Sequence, residues 1–88
     1  MFYVYMIKNS IDKLYIGITK NPKDRVEYHN QKRGACFTKY KSDFTIVFLE
    51  EYSTLEQARK REIQLKKWSR KKKDILIEKY RKELPTKM

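Results

Sequence analysis

Apolar residues first fall into two short runs, FYVYMI at 2–7 and LYIGIT at 14–19, both β-branched and aromatic, with the polar stretch KNSIDK at 8–13 between them. Runs of this length and type read as strands, and the polar connection suits a hairpin turn. Side chains alternate along a strand, so Tyr3, Tyr5 and Ile7 share one face of the first. Tyr15, Gly17 and Thr19 share one face of the second, with Leu14, Ile16 and Ile18 opposite. Both faces are therefore expected to be at least partly covered. Asn21-Pro22 is a strong helix start, because Asn can cap free amides and Pro at the first helical position loses nothing by lacking its own. A helix is expected over about 22–32, ended by Gly34, and then an irregular basic loop over 34–43. A third strand follows at about 44–52 (FTIVFLEEY), and Ser53-Thr54 caps a helix running to about 68. A last basic helix is expected over about 71–82, before Leu84-Pro85 ends regular structure. The order β-β-α-β-α-α, without repeat or linker, predicts an α+β fold: a three-stranded antiparallel sheet flanked by helices.

Eighty-eight residues suffice for one small domain, expected as a core over about 2–80 and a short tail over 83–88. Twenty-two Lys and Arg against eleven Asp and Glu leave a net charge of +11, which points to a polyanionic partner. Nucleic acid is the first candidate and an anionic membrane surface the second. The membrane reading is the weaker, since no run approaches the roughly 20 apolar residues of a span and the basic segments lack a broad apolar face. The opening MFYVYMI has no basic leader or small-residue cleavage site and reads as a strand, so a cytoplasmic protein is expected. Cys36 is the only cysteine and His29 the only histidine, which removes an internal disulfide and any cysteine-based or histidine-based metal cage. Gly17 and Gly34 are the only glycines, and nothing resembles a phosphate-cradling GxxxxGK loop.

Three places carry polar residues where a core pattern expects apolar ones. The first helix sets Arg25, Tyr28, His29 and Lys32 on one stripe, either a solvated surface or a cationic, aromatic face. On the long helix, Leu55, Ala58, Leu65 and, at the edge, Trp68 outline an apolar stripe, and Glu62 falls inside their arc. A buried unpaired charge costs several kcal/mol, so Glu62 is expected to pair with Lys66 or Arg59, to bind a metal, or to open on a cleft. The metal it suits is Mg²⁺, a hard cation that commonly takes one or two carboxylates plus waters and phosphate oxygens. The third place is KKWSRKKK at 66–73, six cations around one tryptophan. Lys66, Lys67, Arg70, Lys71 and Lys72, with Lys32, form an electrostatic footing for a phosphate backbone, and Trp68 is available for core packing or for stacking.

Tyr3-Val4-Tyr5, followed by Tyr15-Ile16-Gly17, resembles the paired motif of the GIY-YIG nuclease superfamily, and Arg25, His29 and Glu62 follow in that family's order. The resemblance covers roughly residues 2–80 and is closest to the small stand-alone bacterial members; related domains occur in an excision-repair nuclease subunit, homing endonucleases and junction nucleases. It implies a metal-dependent endonuclease that hydrolyses DNA phosphodiester bonds, with a place in repair or recombination. Tyr15 would then activate or orient the attacking water with Tyr5 beside it, and Gly17 would leave space for an approaching backbone. Arg25 would stabilise charge on the phosphate, His29 would assist a tyrosine or hold phosphate, and Glu62 would hold one divalent ion, Mg²⁺ or Mn²⁺. A free phenol has a pKa near 10, so Tyr15 as a base needs the metal, Arg25 and nearby lysines to lower it. The chain departs from the family pattern in reading YVY for GIY, and in having Ile75-Leu76-Ile77 where several active members have a polar residue, often asparagine. The partner expected is DNA, with RNA left open and a separate protein supplying selectivity. The alternative reading is a nucleic-acid-binding module of the same fold that is non-catalytic or depends on a partner.

Overall fold

The computed structural model describes residues 1–36 and 43–86, with the side chains of residue 29 and residues 31–36 left aside. Strands β1 (Phe2–Lys8), β2 (Leu14–Thr19) and β3 (Thr45–Tyr52) and helices α1 (Pro22–Cys36), α2 (Leu55–Lys66) and α3 (Arg70–Arg81) follow in the order β-β-α-β-α-α. The strands form one antiparallel sheet, as the sequence predicts, and their order in it is β2-β1-β3. β2 is therefore an outer strand, and one long margin of the sheet is open beside it.

Register sets which tyrosine meets which neighbour. Tyr5 lies opposite Gly17, Tyr3 opposite Thr19 and Ile7 opposite Tyr15, so these six residues share one face. A small cluster of Tyr5, Ile7 and Phe44 is buried there, with Tyr15, Val26 of α1, Ile46 and Leu49 packed on it. The opposite face carries the main core: Val4, Met6 and Phe48 from the sheet, Ala58 and Leu65 from α2, and Leu76 from α3. A bulge in β3 pairs Met6 with Phe48 but Ile7 with Ile46, leaving Val47 as the extra residue. That insertion lets both Val47 and Phe48 pack on the main-core side.

The caps explain the helix limits. Asn21 Oδ1 accepts from the Asp24 amide at 3.3 Å while its Nδ2 donates to Asp24 Oδ2 at 2.9 Å, a reciprocal closure of the first turn of α1. α1 does not stop at Gly34 but continues to Cys36; one glycine costs a helix about 1 kcal/mol and does not by itself break it. Residues 37–42 of the expected basic loop lie outside the described residues. Thr54 caps α2 through the Gln57 amide at 3.2 Å, and Ser69 caps α3 through the Lys72 amide at 3.3 Å. Ser69 is why the last two helices part where they do, with α2 closing at Lys66 and not at 68. No helix among the described residues is long and apolar enough to cross a membrane.

The stripe on α2 differs from the one expected. Its buried residues are Ala58, Arg61 and Leu65, while Leu55 is 41% exposed. Arg61 is inside because β3 supplies its partner. Its Nε donates to Glu50 Oε1 at 2.9 Å and one terminal nitrogen to Glu50 Oε2 at 3.2 Å. Tyr52 donates to Glu50 Oε1 at 2.8 Å, and Arg61 also reaches Gln64 at 2.7 Å and the Thr86 carbonyl at 3.0 Å. The residues after α3 are thus tied back onto the core.

Candidate active site

Tyr5 reaches across the sheet to the outer strand. A Cβ on Gly17 would stand 2.5 Å from the Tyr5 hydroxyl oxygen, 2.8 Å from Cζ and 2.9 Å from Cε2. The absent side chain of Gly17 is therefore the space occupied by the phenol, a nearer use for it than admitting a substrate backbone. Gly17→Ala is expected to push the ring off β2, costing about 1–3 kcal/mol of overpacking strain. Thermal unfolding followed by circular dichroism reads that cost.

Burial holds the Tyr5 phenol above its ordinary pKa, Arg25 pulls it down and Glu62 pushes it up again. The phenol thus lies within electrostatic reach of both α1 and α2, which pack on opposite faces of the sheet. The meeting place is the open β2 margin, where Thr19 lines a cleft on each side. On the α1 side, Arg25 is exposed, and its guanidinium sits 5.9 Å from the centre of the Tyr28 ring. It makes no ion pair among the described residues, since the neighbouring Asp24 carboxylate is engaged in the helix cap. A planar guanidinium fork lining a cleft is suited to phosphate.

On the α2 side, Glu62 opens on a cleft of about 490 Å³ whose rim includes Lys20 and Arg59. Its side chain is 19% exposed, so it sits at the edge of the core and not within it, and Lys66 Nζ lies 3.3 Å from its Oε2. Two of the alternatives open in the sequence, an ion pair and a cleft, are thus both present. The pair is half in solvent and spans one helical turn, worth about 0.3–0.5 kcal/mol, so it yields readily to a stronger cation. Among the described residues no three His, Cys, Asp or Glu side chains cluster. The lone carboxylate of Glu62 at this cleft is an oxygen donor of the kind a hard divalent ion takes, with water and substrate oxygens completing its shell.

Tyr15 stands on the same face as Tyr5, one pair further along β2, with its ring edge against Phe44 at 5.4 Å between centroids. Phe44 is fixed in turn by Asn30 of α1, whose Oδ1 accepts from the Phe44 amide at 2.7 Å and whose Nδ2 donates to the Phe44 carbonyl at 3.2 Å. This amide, acting as a short strand partner, was not marked by any pattern in the sequence. Neither was Lys20; Arg59, a candidate partner for Glu62 in the sequence, instead lines the cleft beside it while Lys66 takes the pair. The backbone of residue 29 lies on α1 one turn beyond Arg25, while the side chains of His29 and Lys32 lie outside the described residues.

The cations at 66–73 divide by function once folded. Arg70 is held by Asp74 at 3.0 Å and by Asp12 of the hairpin turn at 2.7 Å, which latches α3 to the β1–β2 connection. Lys66 faces Glu62, and Lys72 lies 5.1 Å from the Trp68 ring centre, with Arg61 at 5.4 Å. Trp68 also packs on the main core. Lys67 and Lys71 are exposed.

The sheet thus carries Tyr5 and Tyr15 on one face, with Arg25 and Glu62 each lining a cleft beside Thr19 of the outer strand. The profile of the GIY-YIG catalytic domain matches residues 1–75, and the chain belongs to this nuclease family. It is 41% identical over 75 residues to the UPF0213 proteins of Staphylococcus aureus strains Mu3 and N315, a match covering 85% of this chain and 92% of theirs. The solution NMR structure of the UPF0213 protein BH0048 from Bacillus halodurans is similar in fold, with a TM-score of 0.57 and 29% identity over 89% of this chain and 84% of that one.

Proposed function

We propose that the chain is an endonuclease that hydrolyses DNA phosphodiester bonds with the help of one divalent ion held by Glu62. The observation that carries the reading is the convergence on Tyr5: a phenol seated over Gly17 that feels Arg25 from one helix and Glu62 from another.

In this reading the scissile phosphate lies across the β2 margin. Arg25 binds its non-bridging oxygens and stabilises the charge that builds there as water attacks phosphorus and the bond to the leaving oxygen breaks. Tyr5, kept protonated by its burial, serves as a hydrogen-bond donor and not as a base. Tyr15, its ring set by Phe44, orients the attacking water. Glu62, whose carboxylate now faces Lys66, would hold Mg²⁺ or Mn²⁺, which would supply positive charge to the phosphate and the leaving oxygen. Lys67 and Lys71 add attraction along the backbone without reading bases.

The test is purified protein with labelled linear, nicked and branched DNA, and with RNA, in chelator or with Mg²⁺ or Mn²⁺ restored. Cleavage of DNA only when metal is present is the expected result. Salt-sensitive binding without cleavage of any substrate would replace this reading with that of a binding module.

A further inference from the structure

The cleft beside Glu62 is not lined as a phosphate track would be. Lys20 and Arg59 stand at its rim, but its wall is Phe2, Leu55 and Ile63. Leu55 and Ile63 are 41% and 48% exposed, aliphatic side chains left in water on an otherwise strongly basic chain. Intact duplex presents phosphates and sugar edges to a protein surface and keeps its base faces stacked inside, so this wall would gain little from it. An unpaired nucleotide has a bare base face and can cover apolar residues while its phosphates meet flanking cations, as in single-strand grooves. The cleft, of about 490 Å³ and open to solvent, has room for a nucleotide. Lys20 is itself placed 5.2 Å from the Phe2 ring centre, which holds one cation at the edge of the apolar wall.

We infer that this cleft is a subsite for an unpaired nucleotide adjoining the phosphate that is cut, so that the substrate is DNA locally single-stranded at that point. The inference rests on the proposed reading for its placement next to the cut, but the subsite itself is a binding claim. Arg59 and Lys20 take the phosphates on either side of the nucleotide, while Leu55, Ile63 and Phe2 cover its base. Selectivity then comes from strand openness and not from base identity, since aliphatic residues carry no hydrogen-bond code.

The experiment separates the two claims by measuring binding without metal. Fluorescence anisotropy in chelator compares oligothymidine with a hairpin duplex of equal nucleotide number, for the wild-type chain, Leu55→Ser and Ile63→Ser. Both residues are partly in solvent, so the variants are expected to fold, and circular dichroism checks this. The wild type should prefer the single strand, and that preference should narrow by about tenfold in the variants, the ratio implied by uncovering one aliphatic side chain. Arg59→Gln should weaken single-strand binding and lower its salt slope by about one ion. Equal affinity of the wild type for both ligands, or a ratio unmoved by Leu55→Ser and Ile63→Ser, overturns the subsite, whatever the cleavage assay shows. A preference for oligouridine over oligothymidine overturns the assignment to DNA. If the single-strand preference is present and removed by the variants while no substrate is cut, the subsite stands and the nuclease reading falls.

Discussion

Arg61→Ala is expected to lower the free energy of unfolding by about 3–5 kcal/mol, the range seen when one partner of a buried ion pair is removed. Arg61 and Glu50 are only 9% and 4% exposed, and the truncation leaves a carboxylate in the core with only the neutral donors Tyr52 and Thr86 left from this network. A domain of this size has a total stability of the same order, so the variant should be near unfolding at room temperature. Urea titrations followed by circular dichroism check it. Pairing Arg61→Met with Glu50→Leu should recover most of the loss, because an apolar pair removes the stranded charge. Acid offers an independent reading. Burial alone would push the Glu50 carboxyl up, but hydrogen bonds from Arg61, Thr86 and Tyr52 outweigh it and hold the group below its ordinary value of 4.5. The contribution of Glu50 is then present above that value and is lost as pH falls through the lower, folded one. In Arg61→Ala burial prevails, the carboxyl moves up, and the deficit against wild type is widest at neutral pH and narrows on acidification.

Arg25→Ala is expected to reduce the rate of strand cleavage by about 10²–10³-fold, the scale of removing one preorganised group aimed at transition-state charge. Its exposed position predicts little change in stability, and one cation among twenty-two Lys and Arg predicts only a small change in DNA affinity. Arg25→Lys should restore only part of the rate, since a point charge lacks the planar fork. Single-turnover cleavage measured beside equilibrium binding separates these effects. A parallel loss of affinity and rate would place Arg25 in binding alone.

What the sequence made legible was local. Strand alternation placed Tyr3 with Tyr5 on one face of the first strand and Tyr15 with Gly17 on one face of the second, the register then making these the same face, and the Asn21-Pro22 and Ser53-Thr54 pairs marked two helix starts that the hydrogen bonds bear out. What it hid depended on partners far along the chain. A helical period spreads α2 into an apolar arc and makes Glu62 look buried. Which charge goes inside was decided by Glu50 on β3, eleven residues before Arg61, and that pairing has no signature in helix spacing. Asn30 is equally silent in sequence, because its role exists only once Phe44 lies beside it. The run at 66–73 reads as uniform positive charge, but Arg70 is bound to Asp12, fifty-eight residues away, and serves the fold first. The use of Gly17 was likewise out of reach, since its missing side chain makes room for a residue on another strand.

The measurement that bears most directly on the proposed activity is metal-dependent cleavage by wild type, Glu62→Ala and Arg25→Ala, purified in parallel, with DNA binding by each recorded alongside. Cleavage by the wild type that rises with added Mg²⁺ or Mn²⁺ and is lost in both variants, while salt-sensitive binding persists in Glu62→Ala, is the predicted result. Cleavage that survives both substitutions would contradict the assignment of Glu62 and Arg25 to the reacting phosphate.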